Sequence, residues 1–315
     1  MTSRAAEPVA ADDHPTGAEL EISESRTAQV GALPVRRALP RRGRRTVGAW
    51  CFLDHMGPAD LAPGGLDIAP HPHIGLQTVT WLVSGAVLHR DSLGTEQVIR
   101  PGQLNLMTAG HGVAHSEEDP GGATGPLHGV QLWVAQPAAT RNGAPAFEHH
   151  PELPQAELGQ GTATVLVGRL ADGGAGAAAS PARRDTDHLG VELDLRGPST
   201  LPLEPGHEHT LVPLSGAVAV EGRVVEPGHL VYLGTGRDEL GLAPAGSGSG
   251  GAARAILVGG APFPEPVLMW WNYVARTRDE ITAAHQEWTG RTDRFGTVRS
   301  PLPPIDVGLP PWASG

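Results

Sequence analysis

His71 and His73 stand one residue apart in "HPHIGLQTVTWLVSG". About forty residues later, His115 and Glu117 repeat the spacing in "GHGVAHSEE". In extended chain, residues i and i+2 project to one face, so each pair would present its two side chains together. Pro72, between the first two histidines, favours extension. Three imidazoles and one carboxylate converging from a folded sheet form a first-row transition-metal site, suited to iron, copper, nickel or zinc. Four protein ligands leave two octahedral positions open, and an open position is what catalysis on a metal needs. Each half alone has a blander reading. A single His-x-His is often a turn, His115 is compatible with a satisfied core position, and Glu117 begins an acidic run with Glu118 and Asp119. The joint pattern favours the metal. His89, His111 and His128 lie in the same stretch and read either as supports for the ligands or as ordinary surface histidines. Nothing suggests a nucleophile: Cys51, in "WCFLDH", reads as buried strand.

The elements that would carry these residues are short strands. "QTVTWLV", "AVLHRD", "EQVIR", "QLNLMTAG" and "LHGVQLWVA" follow one another, separated by Gly- and Pro-containing turns. That regular spacing predicts a sandwich or barrel. With 43 Gly and 30 Pro in 315 residues, the chain carries many turn formers, while 39% hydrophobic residues supply a core. The one convincing helix is "RTRDEITAAHQEW", Arg276 to Trp288, with Thr277 as cap and Glu280 as its capping-box partner. Ile281, Ala284 and Trp288 share its apolar face. "SGAV" at Ser84–Val87 recurs at Ser215–Val218, and "PGQL" at Pro101–Leu104 recurs as "PGHL" at Pro227–Leu230. Matches in the same order predict two related barrels.

"FLDHMGPAD", "HPHIGLQTVTWLVSG", "LHRDSLG", "PGQLNLMTAGHGVAHSEE", "HGVQLWVA" and "MWWNYVARTRDEI…RFG" together resemble the pirin family of bicupins over about residues 30 to 300. The resemblance implies an all-β fold: two cupin (jelly-roll) β-barrels in tandem, followed by a helix and tail. It implies a metal, usually iron, in the first barrel, and its ligand motif falls on His71, His73, His115 and Glu117. Some pirins resemble quercetin 2,3-dioxygenases in activity; others are nuclear transcription cofactors. The expected organisation is a disordered N-terminus at 1–18, a metal-binding cupin at 19–136 and a linker at 137–162. A cupin without metal would then occupy 163–265, and a helix and tail 266–315.

Two positions depart from the family pattern. Many pirins read HPHRGFET in the first motif, so Ile74 stands for an Arg and Gln77 for a Glu. Gln77 is a candidate neighbour of the metal but a weak, uncharged ligand, which leaves Glu117 as the carboxylate. Carrying the repeat across sets Pro202, Glu204, Gly241 and Ala243 where the first barrel has its ligands, a set that holds no metal. "HEH" at His207–His209 falls outside that register.

These residues point to one divalent transition metal per chain, iron first, with nickel, copper, manganese, cobalt or zinc as alternatives. The expected activity is dioxygenation and ring opening of a flavonol such as quercetin, with Glu117 as catalytic base. Leu76, Val79, Trp81, Leu106 and Met107 are expected to line the pocket or the core. A second reading is a metal- or redox-sensing regulator that binds a protein partner and turns nothing over; an isomerase or hydrolase is a third. A formal charge of −11 argues against nucleic-acid binding. All 23 basic residues are Arg, and six fall in "VRRALPRRGRR", which reads as a solvated loop or as a positive rim for an anionic phenolate. One cysteine, no apolar leader and no membrane-length apolar run make a cytoplasmic protein the expectation.

Overall fold

The structure, a computed structural model, describes residues 18–31, 33–62, 64–121, 125–172, 176–246 and 251–313. Residues 1–17, within the segment expected to be disordered, lie outside it, and Ala18 begins a strand. No helix among the described residues is long and apolar enough to cross a membrane. The architecture is all-β, two cupin barrels in tandem, with one α-helix near the C-terminus.

The first barrel is made of two facing sheets. One has four strands, in the order Ile68–His73, Val113–Glu118, Val87–Asp91, Glu96–Ile99. The other has seven, in the order Ala146–His150, Leu104–Thr108, Leu76–Ser84, Leu127–Ala135, Trp50–Ala59, Leu33–Leu39, Arg26–Val30. Alternation divides the seven-stranded sheet cleanly. Cys51, Leu53, Val79, Trp81, Leu106, Val130 and Leu132 share its outer face and join a core with Val212, Leu214, Tyr232 and Ile256 of the second barrel. Phe52, Asp54, Thr78, Thr80, Gln131 and Trp133 face inward. Of the five apolar residues expected at the pocket or core, Leu76 and Met107 therefore share the inner face, and Val79, Trp81 and Leu106 belong to the seam between barrels. An apolar cluster of Val35, Met56, Ile68, Leu82, Val87 and Ile99 closes one end of the interior.

The second barrel is a ten-stranded sheet whose interior is filled by Leu and Val, including Val191, Leu193, Leu195, Leu211, Val218 and Leu257. Two segments cross the expected organisation. The strand Ala18–Glu24 pairs with His229–Gly234, so the chain's first strand, counted with the first barrel, joins the second barrel's sheet. The segment 137–162, expected as a linker, contributes Ala146–His150 to the first barrel and Gln155–Glu157 to the second. Both carry the alternating or polar patterns of edge strands, which reveal a strand but not its partner.

The Arg run is mostly built into the structure. Arg37 donates from Nε and Nη2 to Asp54 at 2.7 and 2.6 Å. Arg44 pairs with Glu21 and lies over the Tyr232 ring. Arg36 and Arg42 are exposed.

The helix spans Arg278–Thr289, with Thr277 Oγ1 accepting from Glu280 N. It thus begins two residues after Arg276, because Thr277 is the extended cap rather than a helical residue. Glu280 reaches back to Arg276 N and clasps Arg141 through both carboxylate oxygens. Ile281, Ala284 and Trp288 pack with Ile74, Ala114 and Tyr273, which seats the helix on the first barrel.

Candidate metal centre

Antiparallel pairing sets His71 opposite His115 and His73 opposite Val113. The three histidines are buried, and one ring nitrogen of each lies within 4.8 Å of the others. His71 Nδ1 donates to the Ala69 carbonyl and His73 Nδ1 to the Asn272 carbonyl, both at 2.9 Å. A carbonyl only accepts, so both rings carry their proton on Nδ1 and turn an Nε2 lone pair inward. His73 Nε2 stands 3.1 Å from His115 Nε2. Asp91 Oδ2 only accepts, so His89 carries its proton on Nε2 and turns its Nδ1 lone pair to His115 Nδ1 at 3.3 Å, which puts the His115 proton on Nδ1 as well. The His73 and His115 Nε2 lone pairs then repel each other at 3.1 Å, and a cation between them removes the conflict. The donor set therefore fits a metal ion. Burial also holds the rings neutral, the form a metal requires. Desolvation lowers the His71 pKa to about 4. It also holds His73 and His115 well below the usual range, with the neighbouring histidines adding to the shift.

Glu117 faces the same interior but is not one of the three converging groups. Glu117 alternates with His115 and pairs with His89, but a bulge in the strand Ile68–His73 sets it opposite Ile68, beyond the His71–His73 pair. Its carboxylate accepts from Thr80 Oγ1 at 3.5 Å. The residue is partly exposed, yet loss of solvation around the carboxyl pushes its pKa up to about 7.

Gln77 is not on this face. It is paired between Val134 and Thr108, alternates with Thr78, and donates from Nε2 to Thr108 Oγ1 at 3.0 Å. Its replacement of the family's Glu therefore changes the seam side of the sheet, not the histidine side. Ile74 follows His73 and packs under the C-terminal hairpin Leu268–Trp270/Tyr273–Ala275. Gly75, at φ 67°, makes room there for the Val274 carbonyl. The tip of that hairpin, with Trp271 at φ 52°, supplies the Asn272 carbonyl to His73.

His89, read as a support or a surface residue, is a buried support. Its Nδ1 stands 3.3 Å from His115 Nδ1, and its Nε2 3.1 Å from Asp91 Oδ2. Asp91 also accepts from the Leu93 and Thr95 amides. The line Asp91–His89–His115 orients the third imidazole as the two carbonyls orient the others. The signal was His-x-Asp in "LHRD", the same one-face spacing on the neighbouring strand. His128 instead pairs with His55, Nε2 to Nε2 at 2.9 Å, and His111 is exposed.

In the second barrel the strand pairs meet as Thr200 opposite Gly241 and Pro202 opposite Glu239. His71 faces His115 in the first barrel, so the counted equivalents Pro202 and Gly241 are two residues out of register. Neither register brings a histidine to the position. His207 pairs with Asp187, and His209 packs against Gly259.

Two stacked cupin barrels, with a three-histidine cluster in the first whose donor set fits a metal ion, define a bicupin. A family model described as Pirin matches residues 32–134, and one described as the Pirin C-terminal cupin domain matches 189–296. The chain belongs to the pirin family. It is 46% identical to a Pseudomonas aeruginosa protein named "Putative quercetin 2,3-dioxygenase", over 93% of this chain and 91% of that one. A crystal structure of quercetin 2,3-dioxygenase from Acinetobacter baumannii is similar, with TM-score 0.85 and 40% identity, over 93% of this chain and 96% of that one. A bacterial pirin from Escherichia coli, solved with nickel(II), shares the fold at TM-score 0.60 and 16% identity, over 78% of this chain and all of that one.

Proposed function

We propose that this chain is a metal-dependent dioxygenase, with iron as its metal, that opens a flavonol such as quercetin with O2. The observation that carries the reading is the convergence of three inward Nε2 lone pairs at the wall of a barrel interior lined by Phe52 and Trp133. His71, His73 and His115 would hold the ion, with Glu117 as fourth ligand or as neighbouring base. A metal bound there supplies Lewis acidity that favours the ionised form of a phenol. Glu117 is the one carboxylate of the quartet and stands ready to accept the substrate's proton, with Thr80 Oγ1 beside it. Trp133, edge-on to His73 with ring centroids 5.3 Å apart, offers a flat substrate an aromatic surface next to the metal. The relatives named for quercetin dioxygenation support this substrate class. Nickel in the Escherichia coli pirin makes nickel the first alternative metal. A small-molecule partner and a cytoplasmic setting belong to the same proposal.

The test is oxygen uptake by iron-loaded protein with quercetin, for wild type and Glu117→Gln. Uptake by wild type, abolished in the variant with metal retained, is the expected result. No uptake across a flavonol panel, together with a stable protein partner, would move the reading to the regulator.

A further inference from the structure

A single line of polar residues crosses the inner face of the seven-stranded sheet, one from every strand. Pairing sets His149 opposite Asn105, Asn105 opposite Thr80 and Thr80 opposite Gln131. Gln131 then faces Asp54, Asp54 faces Arg37 and Arg37 faces Arg26. The next line toward the histidines is largely apolar: Phe147, Met107, Thr78, Trp133 and Phe52. Phe52 stacks on Trp133 with centroids 4.1 Å apart, and Phe147 stacks on His89 at 4.5 Å.

This wall is not packed shut. Glu117, Gln131, Phe147 and Arg37 all point inward and are all partly exposed. Phe52 and Trp133 keep 7% of their surface, whereas Leu53 and Leu132, beside them on the outer face, keep none. Solvent therefore reaches the inside of the barrel.

The polar line is also incompletely satisfied. Asn105 is 3% exposed; its Oδ1 accepts from His149 Nδ1 at 2.7 Å, and its Nδ2 has no partner. If the amide is turned over, the oxygen is left instead, so one polar atom stays open either way. A buried orphan of this kind costs about 1–3 kcal/mol, so a ligand that meets it gains affinity. A hydroxyl, both donor and acceptor, meets it in either orientation. Thr80 Oγ1 has one proton for two acceptors, Gln131 Oε1 at 3.0 Å and Glu117 Oε1 at 3.5 Å. From Asn105 to Asp54 is three strand spacings, about 14 Å along the sheet.

We infer that this line is the wall that orients substrate, and that it selects flat aromatics bearing several hydroxyls. The ring system lies against the inward edges of the stacked Phe52–Trp133 pair, the Arg37 guanidinium covering the Phe52 ring at 4.5 Å. Hydroxyls remote from the reacting carbon bond to Asn105, to Gln131 and toward the Arg37–Asp54 pair. The inference rests on the first barrel being a phenol-binding site and names what that site reads.

The test is calorimetric binding to zinc-loaded protein without oxygen, where nothing turns over. The ligands are quercetin and 3-hydroxyflavone, which keeps the metal-binding edge and lacks the remote hydroxyls. Wild type should prefer quercetin by about tenfold or more, because a site built to bond hydroxyls rejects the analogue without them. Asn105→Leu and Gln131→Leu, each checked for metal content and melting temperature, should each lose most of that preference. Their affinity for 3-hydroxyflavone should stay within about twofold, since they keep the metal and the aromatic wall. Undiminished preference in both variants, or equal affinities in wild type, would overturn the inference. Selective binding without oxygen uptake by the iron form would sink the dioxygenase and leave this wall standing. Oxygen uptake without selectivity would do the reverse, and binding of neither ligand would remove both.

Discussion

The two barrels share a fold and differ in what fills them. The second closes on Val191, Leu193, Leu195, Leu211 and Leu257, all sealed from solvent except for traces. The first turns Thr78, Thr80, Gln131, Asp54 and six titratable side chains of the facing sheet toward an interior that water reaches. A barrel lined by Leu and Val gains stability from burial and has no room for chemistry. A barrel lined by polar groups forgoes that gain and holds a site. The chain makes up the difference outside the first barrel. The outer face of its large sheet packs against the second barrel, and the C-terminal hairpin and helix cover its histidine end. The second barrel thus packs as a support against the polar-lined one.

The largest way to break this contrast is a charge on the wrong face. Gln77→Glu would bury a carboxylate at the seam, where Thr108 is its hydrogen-bonding neighbour. It should cost about 3–5 kcal/mol by chemical denaturation. Because the position faces away from the histidines, metal content at saturation should be unchanged. A near-neutral effect on stability, with altered metal binding, would put Gln77 on the histidine face.

Next in size are paired truncations. Leu193→Ala in the filled barrel should cost about 2–5 kcal/mol, since the cavity has no solvent to relax into. Gln131→Ala in the hollow barrel should cost less than about 1 kcal/mol, because its side chain borders water already. Similar losses would mean that the first barrel is as tightly packed as the second.

A smaller effect concerns acid. Burial lowers the pKa of His209 and of His55 to about 3, and of His188 to about 4. The unfolded chain would bind protons at these groups from about pH 6.5 downward, while the folded chain would not. Stability should therefore fall on acidification below pH 6.5 and keep falling toward pH 3. Each group adds up to about 1.4 kcal/mol per pH unit. His209, whose Nε2 is buried without a partner, is the cleanest probe. His209→Leu should remove about one proton's worth of slope between pH 6 and 4. An unchanged slope would mean that His209 titrates normally in the fold.

Much of this was legible in the sequence, for physical reasons. Alternation fixes which strand residues share a face, so His71 with His73, and His115 with Glu117, could each be read as a pair from spacing, while their convergence rested on the joint pattern and the family resemblance. The helix was legible because Thr277 and Glu280 mark its start chemically. What alternation cannot supply is which strand lies beside which. The polar line takes one residue from each of seven strands, so it exists only once the pairing is known. Ala18–Glu24 reads as a strand, but nothing in it names the second barrel as its partner. The Asn272 carbonyl that orients His73 is backbone, from far along the chain, and leaves no side-chain signal. The two-residue slip at Thr200 arose because counting from turns assumes loops of equal length.

A metal in the first barrel would be held by His71, His73 and His115. Metal content measured on His71→Ala, His115→Ala and His209→Ala, each reconstituted alongside wild type, tests this assignment most directly. About one ion per chain is expected in wild type and in His209→Ala, with near-complete loss in the other two, since each lacks one of three imidazoles. Retention of metal in both His71→Ala and His115→Ala, or its loss in His209→Ala alone, would contradict it.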